Sequence, residues 1–367
     1  MNREKLHALS KRKKILLVVL IAAVLIALCL GAYALLSRLE LEHDAAPEGA
    51  GEALSREELE AADAALAEEL ELDTTPLDVD SESIVTLFYN GQQYRYNDEL
   101  SVLLIIGIDD YDIEAEYAYR NHTQSDFLLL AVFDNAEKTC RLIQVNRDTM
   151  TDVPVLGYQG TYIGLANEQI ALAYTYGKGL EDSCENTVHA VSRFLYDIPI
   201  DNYFTLTMSA VPVLNDLVGG VTVTVEDDFT GVDDSLQKGS TVTLTAENVE
   251  NFVRSRMSMK DDPTNLNRMR RQRTYMTALF SALSDAAAKS SSFAVDAYDA
   301  VSEYMLTDCT VDQLNVYADQ FNGYTLSEIV TPEGEAVKGE KYVEFYIDEA
   351  ALQQLVIDTF YVPVEEE

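Results

Sequence analysis

The hydrophobic pattern divides the chain into unlike stretches. From Ile15 to Leu36 run 22 residues without a charge, the length of one helix across a bilayer core. Residues 37–82 are rich in Glu, Asp and Ala, and Ser55 to Leu72 has helical spacing with Leu59, Leu66 and Leu70 on a weak apolar stripe. Ser55 with Glu58 reads as a capping box, and the stretch reads as a solvated spacer helix. Ile84 to Tyr96 alternates around Asn90-Gly91, which predicts a hairpin over 83–97. Val102–Ile108, Phe127–Phe133 and Cys140–Val145 are apolar runs of strand length. Helical spacing returns at Ser183–Leu195, Thr245–Val253, Thr264–Lys289, Tyr298–Tyr304 and Asp348–Phe360, and strands are expected at Val221–Val225, Thr325–Thr331 and Lys341–Ile347.

Charge orients this plan. Lys11-Arg12-Lys13-Lys14 precedes the apolar run and Glu40, Glu42 and Asp44 follow it, so residues 1–14 are expected in the cytoplasm and the chain beyond 37 outside the cell. A cleaved signal peptide is the competing reading, but the run is long and no clear A-x-A site follows. The 367 residues carry 26 basic and 63 acidic side chains, a formal charge of −37, which argues against a general nucleic-acid surface. Four scattered histidines and four cysteines without a C-x-x-C pair argue against structural zinc and a disulfide scaffold. Cys140 could pair with Cys309, or the cysteines outside the membrane could remain buried thiols.

Two clusters carry candidate chemistry. If 127–133 and 140–145 form a hairpin, Asp126 and Arg147 meet at one sheet end, and an antiparallel strand 102–108 brings Asp109 there. The second cluster is basic. Seven of the 26 basic residues fall between Arg254 and Arg273, among them Arg254, Arg256, Arg268 and Arg271, and Gln272 shares a helix face with Arg268. Arginine forks match phosphate oxygens, so a local reversal of sign in an acidic chain suggests an anion site. Surface ion pairs with the acidic remainder are the plainer explanation of the same residues.

The segments LLIIGID (103–109), SDFLLLAVFD (125–134), NRDTMTDVP (146–154), ALAYTYG (171–177), IPIDNYFTL (198–206), LVGGVTVTV (217–225), VRSRM (253–257) and NRMRRQ (267–272), in this order behind one apolar helix, resemble the LytR-CpsA-Psr family. The resemblance implies an α/β sandwich: a mixed central β-sheet with helices on both sides, over 98–308, completed by 309–367. It implies a phosphotransferase that moves a glycopolymer from a polyprenyl-pyrophosphate carrier to a peptidoglycan sugar hydroxyl at the membrane surface. Asp109 and Asp126 would hold Mg²⁺; Arg147, Arg254, Arg256, Arg268 and Gln272 would hold the pyrophosphate. The chain departs from the family where Gln124 replaces an arginine, Asn146 a proline and Gln169 a lysine; Arg120 and Arg271 are further candidates for the missing charge. The lipid tail would lie along the inner faces of the central strands or the helix 183–195. A non-catalytic lipid-pyrophosphate binder and a lipid pyrophosphatase use the same residues, whereas no helix-turn-helix supports a transcription factor.

Overall fold

A computed structural model describes residues 55–75, 86–110, 123–158, 160–177, 179–255, 265–290, 293–339 and 342–364. The expected membrane segment 15–36, Arg120 and Arg256 lie outside them. Among the described residues no helix is long and apolar enough to cross a membrane.

The Asn90-Gly91 signal closes a hairpin. Strands β1 (Thr86–Tyr89) and β2 (Gln92–Tyr96) pair antiparallel, and Asn90 and Gly91 sit at φ of 49° and 81°. Left-handed backbone at both turn positions matches the strand twist, which is why Asn-Gly is favoured there. The three apolar runs become β3 (Leu100–Ile108), β4 (Ser125–Asp134) and β5 (Thr139–Val145). They pair antiparallel in sequence order, with Phe133 opposite Cys140 as the hairpin expectation requires. Next come a long hairpin, β6 (Met150–Leu156) with β7 (Tyr162–Gln169), and then β8 (Asn202–Leu206). β8 lies parallel to β3.

The expected strand at 221–225 forms, but as β9 (Thr222–Thr224) in a two-stranded ribbon with β10 (Thr241–Thr243), apart from the main sheet. The chain then returns through β11 (Met305–Thr307), β12 (Thr325–Val330), a hairpin of β13 (Gly334–Lys338) and β14 (Val343–Ile347), and β15 (Tyr361–Pro363). The central sheet has the order β11-β8-β3-β4-β5-β12, with β8 parallel to β3 and β12 parallel to β5. It is therefore mixed. β15 adds a third strand to the first hairpin, tying the C-terminus to residues 94–96.

Alternation along the central strands builds two cores. Val102, Leu104, Ile106, Leu128 and Leu130 face one side, packed with Cys184 and Val191 of the helix Leu180–Phe194 and with Leu352 and Val356 of the helix Glu349–Phe360. Leu103, Leu129, Ala131 and Phe133 face the other, against Tyr317 and Phe321 of the helix Val311–Gly323 and Met276 of the helix Leu266–Lys289. The sheet is thus covered by helices on both faces, the expected layering. A third core lies outside the sheet, where Val223, Val225, Phe229 and Phe252 pack against Tyr275 and Leu279.

Three expectations shift. The helix at 245–253 starts only at Val249 and ends at Arg254, because the Asn248 side chain accepts from the Thr245 backbone N–H and turns the chain first. The helix expected over 298–304 runs Phe293–Val301, followed by a short 3₁₀ turn, Ser302–Tyr304. The capping box at Ser55 and Glu58 opens the helix Arg56–Glu69, but the stretch is not solvated all round. Leu66 is buried, Asp63 accepts from the Tyr158 N–H at 2.7 Å, and Asp73 and Leu165 exchange backbone hydrogen bonds. The leucine stripe is what draws this segment onto the β6–β7 hairpin.

Candidate functional site

The site forms where β3 and β4 end together. The ladder slips between Gly107 and Ile108, so that Ile108 faces Ser125. Bulges of this kind re-aim the residues that follow them. Here Asp109 turns onto Gln124: its N–H donates to the Gln124 carbonyl at 3.1 Å, and its Oδ1 accepts from the Gln124 N–H at 2.7 Å.

Asp126, one residue into β4, is gripped from two directions. Arg147, just past β5, reaches Asp126 Oδ1 with Nη1 and Gln124 Oε1 with Nη2, while its Nε lies 3.2 Å from Asp148 Oδ1. Arg268, in the first turn of the helix Leu266–Lys289, donates Nη1 to Asp126 Oδ2 at 2.9 Å. The Arg268 side chain is 5% exposed and that of Asp126 14%. Residues from β4, from the loop after β5 and from a distant helix therefore converge; the strand pattern anticipates the meeting of Asp126 with Arg147, and the approach of Arg268 is what the family resemblance implies. Paired buried charges repay desolvation only while both partners remain, and removing one costs about 3–5 kcal/mol. Gln124, where a guanidinium was expected, serves instead as a neutral acceptor for Arg147.

Beside this cluster opens a cavity of about 290 Å³. Its walls are Ile105–Ile108 and Phe127 of the central strands, Phe204 and Leu206 of β8, Val211 and Leu214, and Tyr275, Met276, Leu279, Phe280 and Leu283 of the long helix. Asp126, Arg254, Arg268 and Gln272 bring its charged and amide groups. An apolar chamber with a few convergent polar groups is the usual form of a small-molecule site. The helix 183–195, expected as a channel wall, does not line it; Cys184, Val191 and Phe194 pack in the opposite core. The amphipathic signal was real, but it reported burial against the sheet's other side.

The basic cluster splits by task. Arg254 lines the cavity, partly exposed, and pairs with Glu250 one turn back at 3.0 Å. Gln272 also lines it, and its Oε1 accepts from Gln144 Nε2 at 3.0 Å. Arg271 turns away: it is buried, donates to Asp227 and to the Phe252 carbonyl at 2.6 and 2.7 Å, and stacks over the Phe229 ring. Arg270 joins it on Asp227. Arg273 donates to Gln144 and Thr331, and its guanidinium pKa is lowered by burial first and by the charge of Arg270 second.

Sequence pattern missed three contributors. Gln144 is a polar residue at a buried strand position, and Asn265 and Asn146 are buried amides bonded to one another at 2.8 Å. A glutamine inside an apolar strand was the one available signal. The cysteines are free thiols at Cys140, Cys184 and Cys309. Burial pushes the first two up to about 12 and the third to about 11.

Among the described residues no group of three or more His, Cys, Asp or Glu is arranged to hold a metal ion. Asp109 and Asp126 are hard oxygen donors of the kind Mg²⁺ takes, but Asp126 has both oxygens engaged by arginines. The donor chemistry fits a cation that keeps much of its water and is completed by a phosphate ligand.

Over residues 67–357 the chain matches the model of the LytR_cpsA_psr family. The polyisoprenyl-teichoic acid–peptidoglycan teichoic acid transferase TagU of Halalkalibacterium halodurans is 26% identical over 221 residues, 60% of this chain and 65% of that protein. TagV of Bacillus subtilis, a transferase of the same description, is 28% identical over 237 residues, 62% of this chain and 55% of that protein. The matched stretch thus spans less than two thirds of either relative's own length. Among solved structures, TagT bound to LIIa-WTA gives a TM-score of 0.53 at 22% identity, covering 71% of this chain and 90% of that one. Protein gbs0355 of Streptococcus agalactiae gives 0.57 at 18% identity, covering 71% and 88%. At these identities the structural likeness establishes the fold.

Proposed function

Because this chain belongs to the LytR-CpsA-Psr family, we propose that it is a phosphotransferase moving a glycopolymer from a polyprenyl-pyrophosphate carrier onto a sugar hydroxyl of peptidoglycan. The observation that carries this reading is the junction of an apolar cavity with an arginine-held carboxylate, Asp126, at its polar side. A long hydrocarbon with an anionic head presents the matching pair of surfaces. The names of the TagU and TagV relatives point to the same substrate class.

In this reading the apolar chain fills the space between β3, β8 and the long helix, where its burial supplies the affinity. The pyrophosphate then lies against Arg268 and Arg254, with Arg147 behind Asp126. The acceptor hydroxyl attacks the phosphorus nearest the glycan and gives its proton to solvent, a new P–O bond forms, and the bond to the bridging oxygen breaks. Polyprenyl phosphate leaves, and the product is a phosphodiester. Negative charge grows on the bridging and equatorial oxygens, so preorganised arginines do most of the work that protein groups can do. Asp109 and Asp126 are the residues that would hold Mg²⁺, which when bound neutralises phosphate charge as a Lewis acid. Asp126 would be free to hold the ion only where its oxygens are no longer shared with Arg147 and Arg268. The apolar run 15–36, as an anchor, would keep the site beside a donor that stays in the bilayer.

Transfer of labelled glycan from a synthetic polyprenyl-pyrophosphate donor to peptidoglycan fragments tests the proposal. The expected result is Mg²⁺-dependent phosphodiester formation that stops on chelation and returns on adding Mg²⁺. Binding without turnover would instead favour a lipid-pyrophosphate binder, to which the uncharged Gln124 would be suited. Release of phosphate without an acceptor would favour a pyrophosphatase.

A further inference from the structure

Asn265 precedes the first turn of the helix Leu266–Lys289, the position where asparagine usually caps a helix with its side chain. It does not do so here: the side chain makes no cap hydrogen bond. Its two polar atoms go elsewhere. Oδ1 accepts from Arg268 Nε at 2.6 Å, and Nδ2 donates to Asn146 Oδ1 at 2.8 Å, across 119 residues of sequence. Asn146 Oδ1 also accepts from the Asp148 N–H at 3.1 Å, and the Asn146 carbonyl accepts from the Thr149 N–H at 3.0 Å. Both asparagines are 2% exposed. Arg147 stands between Asn146 and Asp148, so one amide pair joins the loop that carries Arg147 to the helix turn that carries Arg268.

We infer that Asn265 and Asn146 are positioning residues that fix the plane of the Arg268 guanidinium and its placement against Arg147, and so tune the site to a pyrophosphate head group. The inference rests on the reading of the site given above. A guanidinium held by one ion pair can swing about that contact; one held at Nη1 by Asp126 and at Nε by Asn265 has its plane set. The second anchor is neutral. It orients the arginine without cancelling its charge, and it does not compete with an incoming anion for the same attraction. When phosphate oxygens replace Asp126 on Nη1, the Nε anchor persists and the fork stays aimed at the cavity. Asn146 does the equivalent for the other side by tying down the turn 146–149, which keeps Arg147 at a constant distance from the helix.

The test is calorimetric binding of two lipids that share a tail, geranylgeranyl pyrophosphate and geranylgeraniol, to the wild type, Asn265→Ala, Asn146→Ala and the double variant, with melting temperatures recorded in parallel. A hydrogen bond to a buried charged group contributes about 1.5–3 kcal/mol, so Asn265→Ala is expected to weaken the pyrophosphate by about tenfold or more. Binding of the alcohol should stay within about twofold, since the cavity walls are untouched. The double variant should lose much less than the product of the two single losses, because the pair acts as one unit. Equal weakening of both lipids would mean that the asparagines only hold the fold, and would overturn the inference, as would full pyrophosphate affinity in Asn265→Ala. If the wild type itself does not prefer the pyrophosphate over the alcohol, the reading of the site fails and the inference falls with it.

Discussion

The helix Leu266–Lys289 carries two arginine–aspartate clusters that differ by less than one turn and do different things. Arg268 meets Asp126, and Arg270 with Arg271 meets Asp227. In each cluster one aspartate accepts from two arginines, one on each carboxylate oxygen, and Arg268 and Arg271 are buried to the same degree. What separates them is their surroundings. On one side of Asp227, Arg271 is enclosed: it also binds the Phe252 and Ser255 carbonyls and stacks on Phe229, inside the core formed with Val223 and Val225, while Arg270 on the other side faces solvent in part. Around Asp126 one direction opens onto the apolar cavity. An ion pair enclosed by core carbonyls and a ring acts as a structural fastener. The same kind of pair beside an apolar cavity can exchange its charges for those of a bound anion, which is why the proposed site lies there.

Substitutions on the two sides should separate activity from stability. The largest effect on transfer is expected from Arg147→Ala and Arg268→Ala, which remove groups poised where charge develops, with losses of about a hundredfold to a thousandfold in kcat. Steady-state transfer assays on protein shown to be folded by circular dichroism would check this. Asp227→Ala should do the reverse. It strands the largely buried Arg271 and should lower stability by about 3–5 kcal/mol, read by urea unfolding, while kcat per folded molecule changes little. A comparable loss of kcat in folded Asp227→Ala would erase the distinction between the clusters.

Narrowing the cavity should give a smaller and more selective effect. Val211→Trp places an indole where the walls are apolar, and about a tenfold rise in KM is expected for a long-chain donor. Inorganic pyrophosphate, which needs no tail space, should bind as before. The smallest effect concerns the thiols. Cys140 and Cys184 are held protonated by burial, with pKa values of about 12, so at pH 8 the thiolate is scarce in the native state. Iodoacetamide at that pH should leave both unlabelled until the protein is unfolded, as judged by mass spectrometry; brisk native labelling would mean that the core around Cys184 opens readily.

Much of this molecule could be read from its sequence, for identifiable reasons. The runs that became β3, β4 and β5 are short, apolar and bounded by polar turns, so their pairing followed from chain geometry and carried Asp109, Asp126 and Arg147 to one sheet end. The basic cluster was visible as a reversal of sign in an acidic chain, but its division into two tasks was not. Arg268 and Arg271 are three residues apart, and only the partners supplied by Asp126 and Asp227, far away in sequence, decide which faces the cavity. The Asn146–Asn265 bond was out of reach for the same reason: nothing local marks either amide as buried. The helix 183–195 misled because amphipathic spacing reports that one face is covered, never what covers it. Leu66 and Leu70 show the converse, since the weak stripe they share with Leu59 in an acidic stretch still sufficed to dock it.

That Arg254 and Arg268, with Arg147 behind Asp126, receive a lipid pyrophosphate at the polar side of the cavity is tested most directly by a crystal structure with geranylgeranyl pyrophosphate bound. Phosphate oxygens are expected within about 3 Å of the Arg268 guanidinium, with the prenyl chain running between β3, β8 and the helix Leu266–Lys289. A lipid seated elsewhere, with Asp126 still clasped by both arginines, would contradict this placement.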